Sequence, residues 1–594
     1  MKITLLPLFF LLMLFLPEKS TGQTQNLINS GLARIDITPE IPIRLTGYSG
    51  RDVPFEGVSQ KLWAKALAMG ETKELSVLIT VDLLGIPGNV TQKVRSELAR
   101  ETGIQNIQLA ISASHTHSGP QIGNILSHFH KPLSPDELAE VAMYANNLVP
   151  KLVQVARAAI ADRALSVLSV SWGEVDFAVN RRLSINPDGP VDHALPVLQV
   201  RSPDGKLRGL MVNYACHAVT FGPENNTVHG DWVGEAQAQM EANHSDVVAM
   251  VTIGCGADQN SSPRMNTADP QKNFEYIHNQ GKRIADEVER LLNLNQNWKE
   301  LSQAPVGQMK YHTLKFADEP DPRELAKDAM EQGRSANYSH LLLSRMARSE
   351  DIPMEIEYPI QVWNFGSEFS MVFLAGEVVM DYGLRLKERL GVANVWINAY
   401  ANDMPCYIAS RRVIDEGGYE ALGSMKGYEK PSALSPEVEE EVIQGVYDLL
   451  PPDVERGLVL GHGSDDRITL PARRGHGIGP NIEYMPEWKA FGWFRSDDRV
   501  EWAVNVSKAG TYEVWMEWSV SDAQAGKSFV LEVKNDSLSA KVEPSGSWDT
   551  FKMKKIGAIR LVPGKQKIIF RPGSKFGTDH ALLDLREVVL IPEN

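Results

Sequence analysis

Five apolar runs of strand length recur between residues 28 and 455, and each leads into polar residues. They are NIQLAISASH (106–115), LRGLMVNYACH (207–217), DVVAMVTIGCG (246–256), FSMVFLAGE (369–377) and ANVWINAY (393–400). Continuous apolar character over about four to eight positions, bounded by Gly, Asn or Asp, predicts buried strands. Between them the spacing predicts helices over 88–101, 135–161, 272–294, 322–348, 378–390 and 436–450. For the last, Ser435 reads as the N-cap and Pro436 as the first helical residue. Strands alternating with helices imply a layered α/β or α+β domain.

Beyond residue 455 the pattern changes. AGTYEVWMEWSV (509–520), SFVLEVKN (528–535) and GKQKIIFRPG (564–573) read as short antiparallel strands, and ALLDLREVVLI (581–591) as a closing strand. Six of the twelve tryptophans lie here: Trp488, Trp493, Trp502, Trp515, Trp518 and Trp548. This predicts an all-β sandwich or jelly roll over 456–594, similar to galactose-binding-like carbohydrate-binding modules. Alternation in YEVWMEW buries one face, so most of these tryptophans are expected in the core, with exposed ones free to stack on sugar rings.

The N-terminus MKITLLPLFFLLMLFLPEKSTGQ has one lysine, a short apolar run and a small-residue exit, the pattern of a signal peptide over residues 1–22. The run is short for a bilayer span, so an exported (secreted or periplasmic) protein without a transmembrane anchor is expected. A second domain of 23–455 follows. The net charge of −15 argues against a nucleic-acid partner. Three cysteines, Cys216, Cys255 and Cys406, are too few for a disulfide scaffold and read as small buried apolar residues.

The ends of the five runs carry the chemistry. They present His115-Thr116-His117, Cys216-His217, Gly256-Ala257-Asp258, Gly376-Glu377 and Tyr400-Ala401-Asn402-Asp403, the last reaching Cys406-Tyr407. Carboxyl ends of strands are where sites assemble in layered α/β folds. If the strand ran on, His115 and His117 would share one face. With His217 and Glu377 they give an imidazole and carboxylate set suited to zinc. The alternative is a polar turn with satisfied histidines.

At these residues the chain resembles the neutral/alkaline (non-lysosomal) ceramidase family. The resemblance spans most of 28–430, from GLARIDITPE through SHTHSGP, NYACHAVTFGPENNTVHGDWVGEA and LAGEV to YANDMPCYIASRRVIDEGGYE. It implies a single zinc ion held by His115, His217, Glu377 and Tyr407. It makes His117 the general base, and Tyr419 and Arg181 the groups that polarise the scissile carbonyl. A histidine beside an activated water can accept and return a proton, and donors aimed at the oxyanion stabilise the tetrahedral intermediate. Asp231 is expected to orient a histidine ligand or to cap a loop. The family's Gly-Asp-x-Ser-Pro-Asn segment corresponds to GADQNSSPR (256–264). Counting from Asp258, Asn260 falls where the serine stands, with Ser261 just beyond. The implied reaction is hydrolysis of an amide of the N-acylsphingosine class. The alternatives are a deacetylase or esterase acting on a glycan-derived compound, and a glycan- or surface-binding protein without activity.

Overall fold

The structure, a computed structural model, describes residues 26–71, 74–123, 125–126, 133–264, 270–294, 298–331, 333–451, 467–485, 488–577 and 580–593. The expected signal peptide and the expected boundary at 455/456 lie outside the described residues. No helix among them is long and apolar enough to cross a membrane.

The largest sheet runs 248–253, 207–214, 194–201, 164–174, 28–36, 63–69, 76–81, 109–113 in spatial order. It is antiparallel except at its two ends, where 248–253 lies parallel to 207–214 and 76–81 parallel to 109–113. The strand SVLITV (76–81) is buried at every position. A strand covered on both faces has no polar face to alternate with, which is why such runs read as continuous apolar stretches. The long helix Pro135–Ala161 begins with the Ser134/Glu137 capping box, and its buried side chains join the main core.

A second sheet, 306–315, 355–365, 369–374 and 395–398, meets the first at the strand ends. Ala113 N donates to Tyr400 O (3.0 Å), Asn402 N to Ile111 O (2.7 Å) and Ala399 N to Ile253 O (2.9 Å). Three of the five expected strands therefore finish side by side.

Two helix expectations are corrected. Residues 322–348 form two helices, Pro322–Asp328 and Arg334–Ala347, separated by a turn whose Gly333 has φ +99°. The helix expected from Pro436 begins at Val438, after a tight turn in which Val438 N reaches Ser435 O (3.1 Å). Ser435 stands three residues before the first helical residue, its hydroxyl bound to Glu437 alone, so Glu437 and not Ser435 occupies the N-cap position.

Residues 468–592 form two facing antiparallel sheets around a separate apolar cluster that includes Trp502 and Trp518. The alternating burial of Gly510–Ser519 matches the expected β-sandwich.

Candidate active site

The site forms where the three strand ends meet. The strand Leu109–Ala113 stops before the histidines, which corrects the same-face argument made from strand alternation. His115 instead adopts a left-handed conformation, φ +55°. Such a backbone costs an ordinary residue about 1–2 kcal/mol, and its neighbours hold it there. Its Nδ1 lies 2.7 Å from Leu84 O. Its ring packs 4.3 Å from that of Tyr400, itself left-handed at φ +53°. This turn, in place of a strand, brings His117 Nε2 to 3.2 Å from His115 Nε2.

His117 is fixed by its backbone and by one glycine. Its N donates to Ala218 O (3.3 Å), and its carbonyl accepts from the Arg51 guanidinium. Gly47, at φ +101°, lies under the imidazole, and a Cβ there would sit 2.5 Å from His117 Nδ1. That Nδ1 is buried without a hydrogen-bond partner among the described residues.

His217 follows the strand Leu207–Tyr214. Its Nδ1 lies 2.7 Å from Gly256 O, and its carbonyl accepts from Trp232 Nε1 (2.9 Å). Glu377 enters on a two-residue strand paired in parallel with Tyr407-Ile408. Gly376 before it has φ +74°, and a Cβ there would lie 2.4 Å from Cys406 O, so that close approach needs glycine. Glu377 Oε2 sits 3.3 Å from His115 Nε2 and 3.2 Å from His217 Nε2. Its other oxygen accepts from Tyr428 OH (2.6 Å). His115, His117 and His217 each offer a ring nitrogen, all within 4.8 Å of one another.

A carbonyl can only accept, so Nδ1 of both His115 and His217 must carry the proton. A neutral ring then turns its Nε2 lone pair towards Glu377. Burial pushes His217 down to about 4. Burial also lowers His117 well below the usual histidine range.

Arg181 closes one wall. It donates to Tyr407 OH (3.1 Å) and Glu420 Oε1 (2.7 Å), and its Nη1 stands 3.5 Å from His217 Nε2. Its guanidinium lies 5.4 Å from the ring centre of Tyr419, which is 40% exposed. Burial raises the Tyr407 phenol well above its ordinary range. Arg182, beside it, ion-pairs with Glu416 and Glu420.

The remaining expected residues stand around this centre. The Asp231 carboxylate accepts from backbone N of Thr220 (3.2 Å), Phe221 (2.9 Å) and Trp232 (2.7 Å), which is loop capping, while its own backbone N donates to the ring Nδ1 of His229 (2.9 Å). Its effect on His217 runs through Trp232. Asp258 accepts from Met380 N (2.9 Å) and Asn180 Nδ2 (3.1 Å) and so ties the helix that follows Glu377 to the strand that precedes Arg181. Asn260 pairs with Val179, and Ser261 Oγ lies 2.8 Å from Thr220 Oγ1. Cys216 is fully buried in the main core, and burial raises its thiol well above the ordinary value.

Two contributors escaped the sequence reading, Tyr428 and Glu420, and Tyr400 was named only as the end of an apolar run, without a role. Glu420 directly follows Tyr419 in the sequence, and Tyr400 ends an apolar run. Tyr428 sits in SMKGYEKP with no motif to mark it.

Residues 29–273 match the family model for neutral/alkaline non-lysosomal ceramidase, N-terminal. Two solved structures, a ceramidase complexed with C2 and the neutral ceramidase from Pseudomonas aeruginosa, share the fold. Each is 17% identical, with 92% of this chain and 94% of the other covered at a TM-score of 0.55. The sequence motifs, the family match over residues 29–273 and the shared fold agree in pointing to the neutral/alkaline, non-lysosomal ceramidases as what this chain is similar to.

Proposed function

We propose that the chain is an exported zinc-dependent hydrolase that cleaves an amide bond, with lipids of the N-acylsphingosine class as substrates. One observation carries the reading. Nε2 of His115, Nε2 of His217 and Oε2 of Glu377 converge within 3.2–3.3 Å, buried, with both imidazoles committed through Nδ1 to backbone carbonyls. Lone pairs facing a carboxylate in a low-dielectric site repel unless a cation lies among them. Imidazole and carboxylate donors suit zinc, so the residues fit the ion. His115, His217 and Glu377 would hold it, with Tyr407 as the fourth donor.

When bound, zinc supplies Lewis acidity and makes hydroxide available near neutral pH. His117, neutral through burial, accepts a proton at Nε2 and returns it to the leaving amine. Arg181 and Tyr419 face the scissile carbonyl and donate to the oxyanion as it develops. Glu420 holds the Arg181 fork in plane, and Tyr428 orients Glu377.

The test is zinc content by mass spectrometry together with hydrolysis of labelled ceramide, with and without chelator. Absence of zinc from active protein, or activity untouched by chelation, would sink the reading. A second reading has its own support: Trp488 and Trp493 in the β-sandwich are 37% and 56% exposed. They suit a glycan, and hence a glycan-derived ester or amide at the same centre. Turnover of acetylated sugars but not ceramide would favour it.

A further inference from the structure

We infer that Arg51 is the positioning residue of the general base: its guanidinium holds the main chain of His117, packs on the ring beside it, and ties both to the loop 221–225. The inference rests on the hydrolase reading above and adds the group that decides where His117 stands.

Arg51 is 2% exposed, and its donors run to main-chain carbonyls of two segments. Nη1 donates to His117 O. Nη2 donates to Gly222 O (3.1 Å) and Asn225 O (2.6 Å), and Nε reaches Pro223 O at 3.4 Å. No carboxylate among the described residues bonds to it, and the charges of Glu224 and Asp231 act on it only through space. Burial pushes it down to about 10, which leaves it charged at neutral pH. A cation buried without a bonded acid is costly unless its hydrogen bonds are made. Here they are made only by the two segments that flank the general base.

The imidazole depends on the same group. The Tyr48 ring centre lies 4.9 Å from that of His117 and 4.8 Å from the Arg51 guanidinium. A cation over an aromatic face is attracted to it, so Arg51 holds the phenol that neighbours the imidazole. Tyr48 OH donates to Phe221 O (2.6 Å), which ties it to the same loop, and Arg51 N donates to Tyr48 O (3.3 Å). The segment carrying both is closed by the Arg44–Pro54 bridge. It runs along the turn after His117, with Thr46 N to Gly119 O (3.1 Å) and Gln121 N to Arg44 O (2.9 Å).

The planar fork matters as much as the charge. A guanidinium presents five donors in fixed directions, whereas an ammonium is a point charge with three. Only the fork reaches His117 O and the carbonyls of Gly222 and Asn225 together. Without it the His117 main chain loses its tie to the loop, and a shift of about 1 Å at the base costs on the order of a hundredfold in rate.

The experiment compares Arg51→Ala and Arg51→Lys with wild-type protein by kcat and KM on labelled ceramide and by zinc content. Amide hydrogen exchange of segments 114–119 and 221–227 in chelator-treated protein gives a readout independent of turnover. In Arg51→Ala, kcat is expected to fall about a hundredfold and KM to stay within about threefold, with zinc retained. Exchange is expected to quicken about tenfold in both segments and to stay unchanged in the strand Leu109–Ala113. Added ethylguanidinium is expected to raise the kcat of Arg51→Ala about tenfold, which a merely structural loss would not allow. Arg51→Lys keeps the charge without the fork and is expected to lose kcat as well. Wild-type kcat in either variant, a loss confined to KM, or unchanged exchange in 114–119 would overturn the inference, as would a defect that ethylguanidinium leaves untouched. If Arg51→Ala does not fold, kcat and exchange in Arg51→Lys decide the matter by the same criteria. If wild-type protein cleaves no amide but exchange quickens in both segments and ethylguanidinium reverses it, the hydrolase reading fails while the Arg51 clamp stands.

Discussion

The two histidines of His115-Thr116-His117 are separated by a single residue and differ in every contact. His115 is tied through Nδ1 to Leu84 O, whereas His117 Nδ1 has no such tie and rests on Gly47. That asymmetry predicts divided labour. His117→Ala is expected to lower kcat by about a hundredfold or more and to keep zinc, whereas His115→Ala or His217→Ala should lose the metal. Zinc loss in His117→Ala would make it a ligand and move the base elsewhere. Gly47→Ala tests the same point without touching a histidine. Its Cβ would press 2.5 Å from Nδ1 at a backbone φ of +101° that alanine resists, so the ring must move. A shift of about 1 Å costs on the order of a hundredfold in kcat, with zinc retained. Activity within a few-fold of wild type would refute that account. Tyr428→Phe removes a 2.6 Å hydrogen bond from Glu377 and is expected to weaken zinc binding about 10–100-fold, read by competition with a chelator. His115, His217 and Glu377 were legible because each ends an apolar run. Tyr428 was not, because a phenol arriving from an irregular loop leaves no periodic trace.

Among the elements, buried strands were the easiest to read and turns the hardest. SVLITV and its neighbours have one chemistry because both their faces are covered. The left-handed turn at His115 has no such signal, since a single residue at positive φ leaves no periodic pattern of apolar and polar positions. The break at Gly333 was obscured because a single glycine is tolerated within a helical pattern. At Ser435 a local turn onto Glu437 takes the place of the first helical turn, a choice between two backbone conformations that spacing alone does not rank. The pairing of segment 178–186 with segment 411–423 was equally hidden, because it depends on charges distant in sequence. Arg182, 1% exposed at its side chain, pairs with Glu416 and Glu420. Arg182→Ala leaves these carboxylates without it and is expected to cost about 3–5 kcal/mol in denaturant unfolding. Acid should act in the same place. Burial raises the Glu416 carboxyl, but hydrogen bonds from Arg182, Arg412 and Asn186 outweigh it and leave it below its ordinary value, with Glu420 and Asp381 as the neighbouring acids. A depressed carboxyl stabilises the fold above its unfolded pKa and loses that contribution as pH falls through the folded value. Stability should therefore decline below about pH 4.5 in wild type, and less steeply in Glu416→Gln. Parallel acid-unfolding curves for the two proteins would contradict this.

For the whole molecule, the question is what the C-terminal β-sandwich adds. Its six tryptophans divide by burial. Trp502 and Trp518 are each 1% exposed in the core, and Trp548 packs against it. Trp488 and Trp493 face solvent, and Trp493 holds a left-handed φ of +60°. An aromatic residue kept strained and exposed gains nothing for the fold, which points to contact with something outside it. Trp488 stacks at 26° near Phe551, and the Arg586 guanidinium lies 3.5 Å over Phe551, so the Trp488 ring stands on packed neighbours. A rigid aromatic surface loses little entropy on binding a sugar ring, and each ring contributes about 1 kcal/mol through stacking. The double variant Trp488→Ala/Trp493→Ala should therefore lose retention on insoluble polysaccharide by about tenfold while its melting temperature and amide hydrolysis stay near wild type. Trp502→Ala should do the reverse, destabilising the sandwich by about 3–5 kcal/mol through the cavity it leaves. If the surface variant is retained as well as wild type across a panel of plant and bacterial polysaccharides, the platform is not a sugar site.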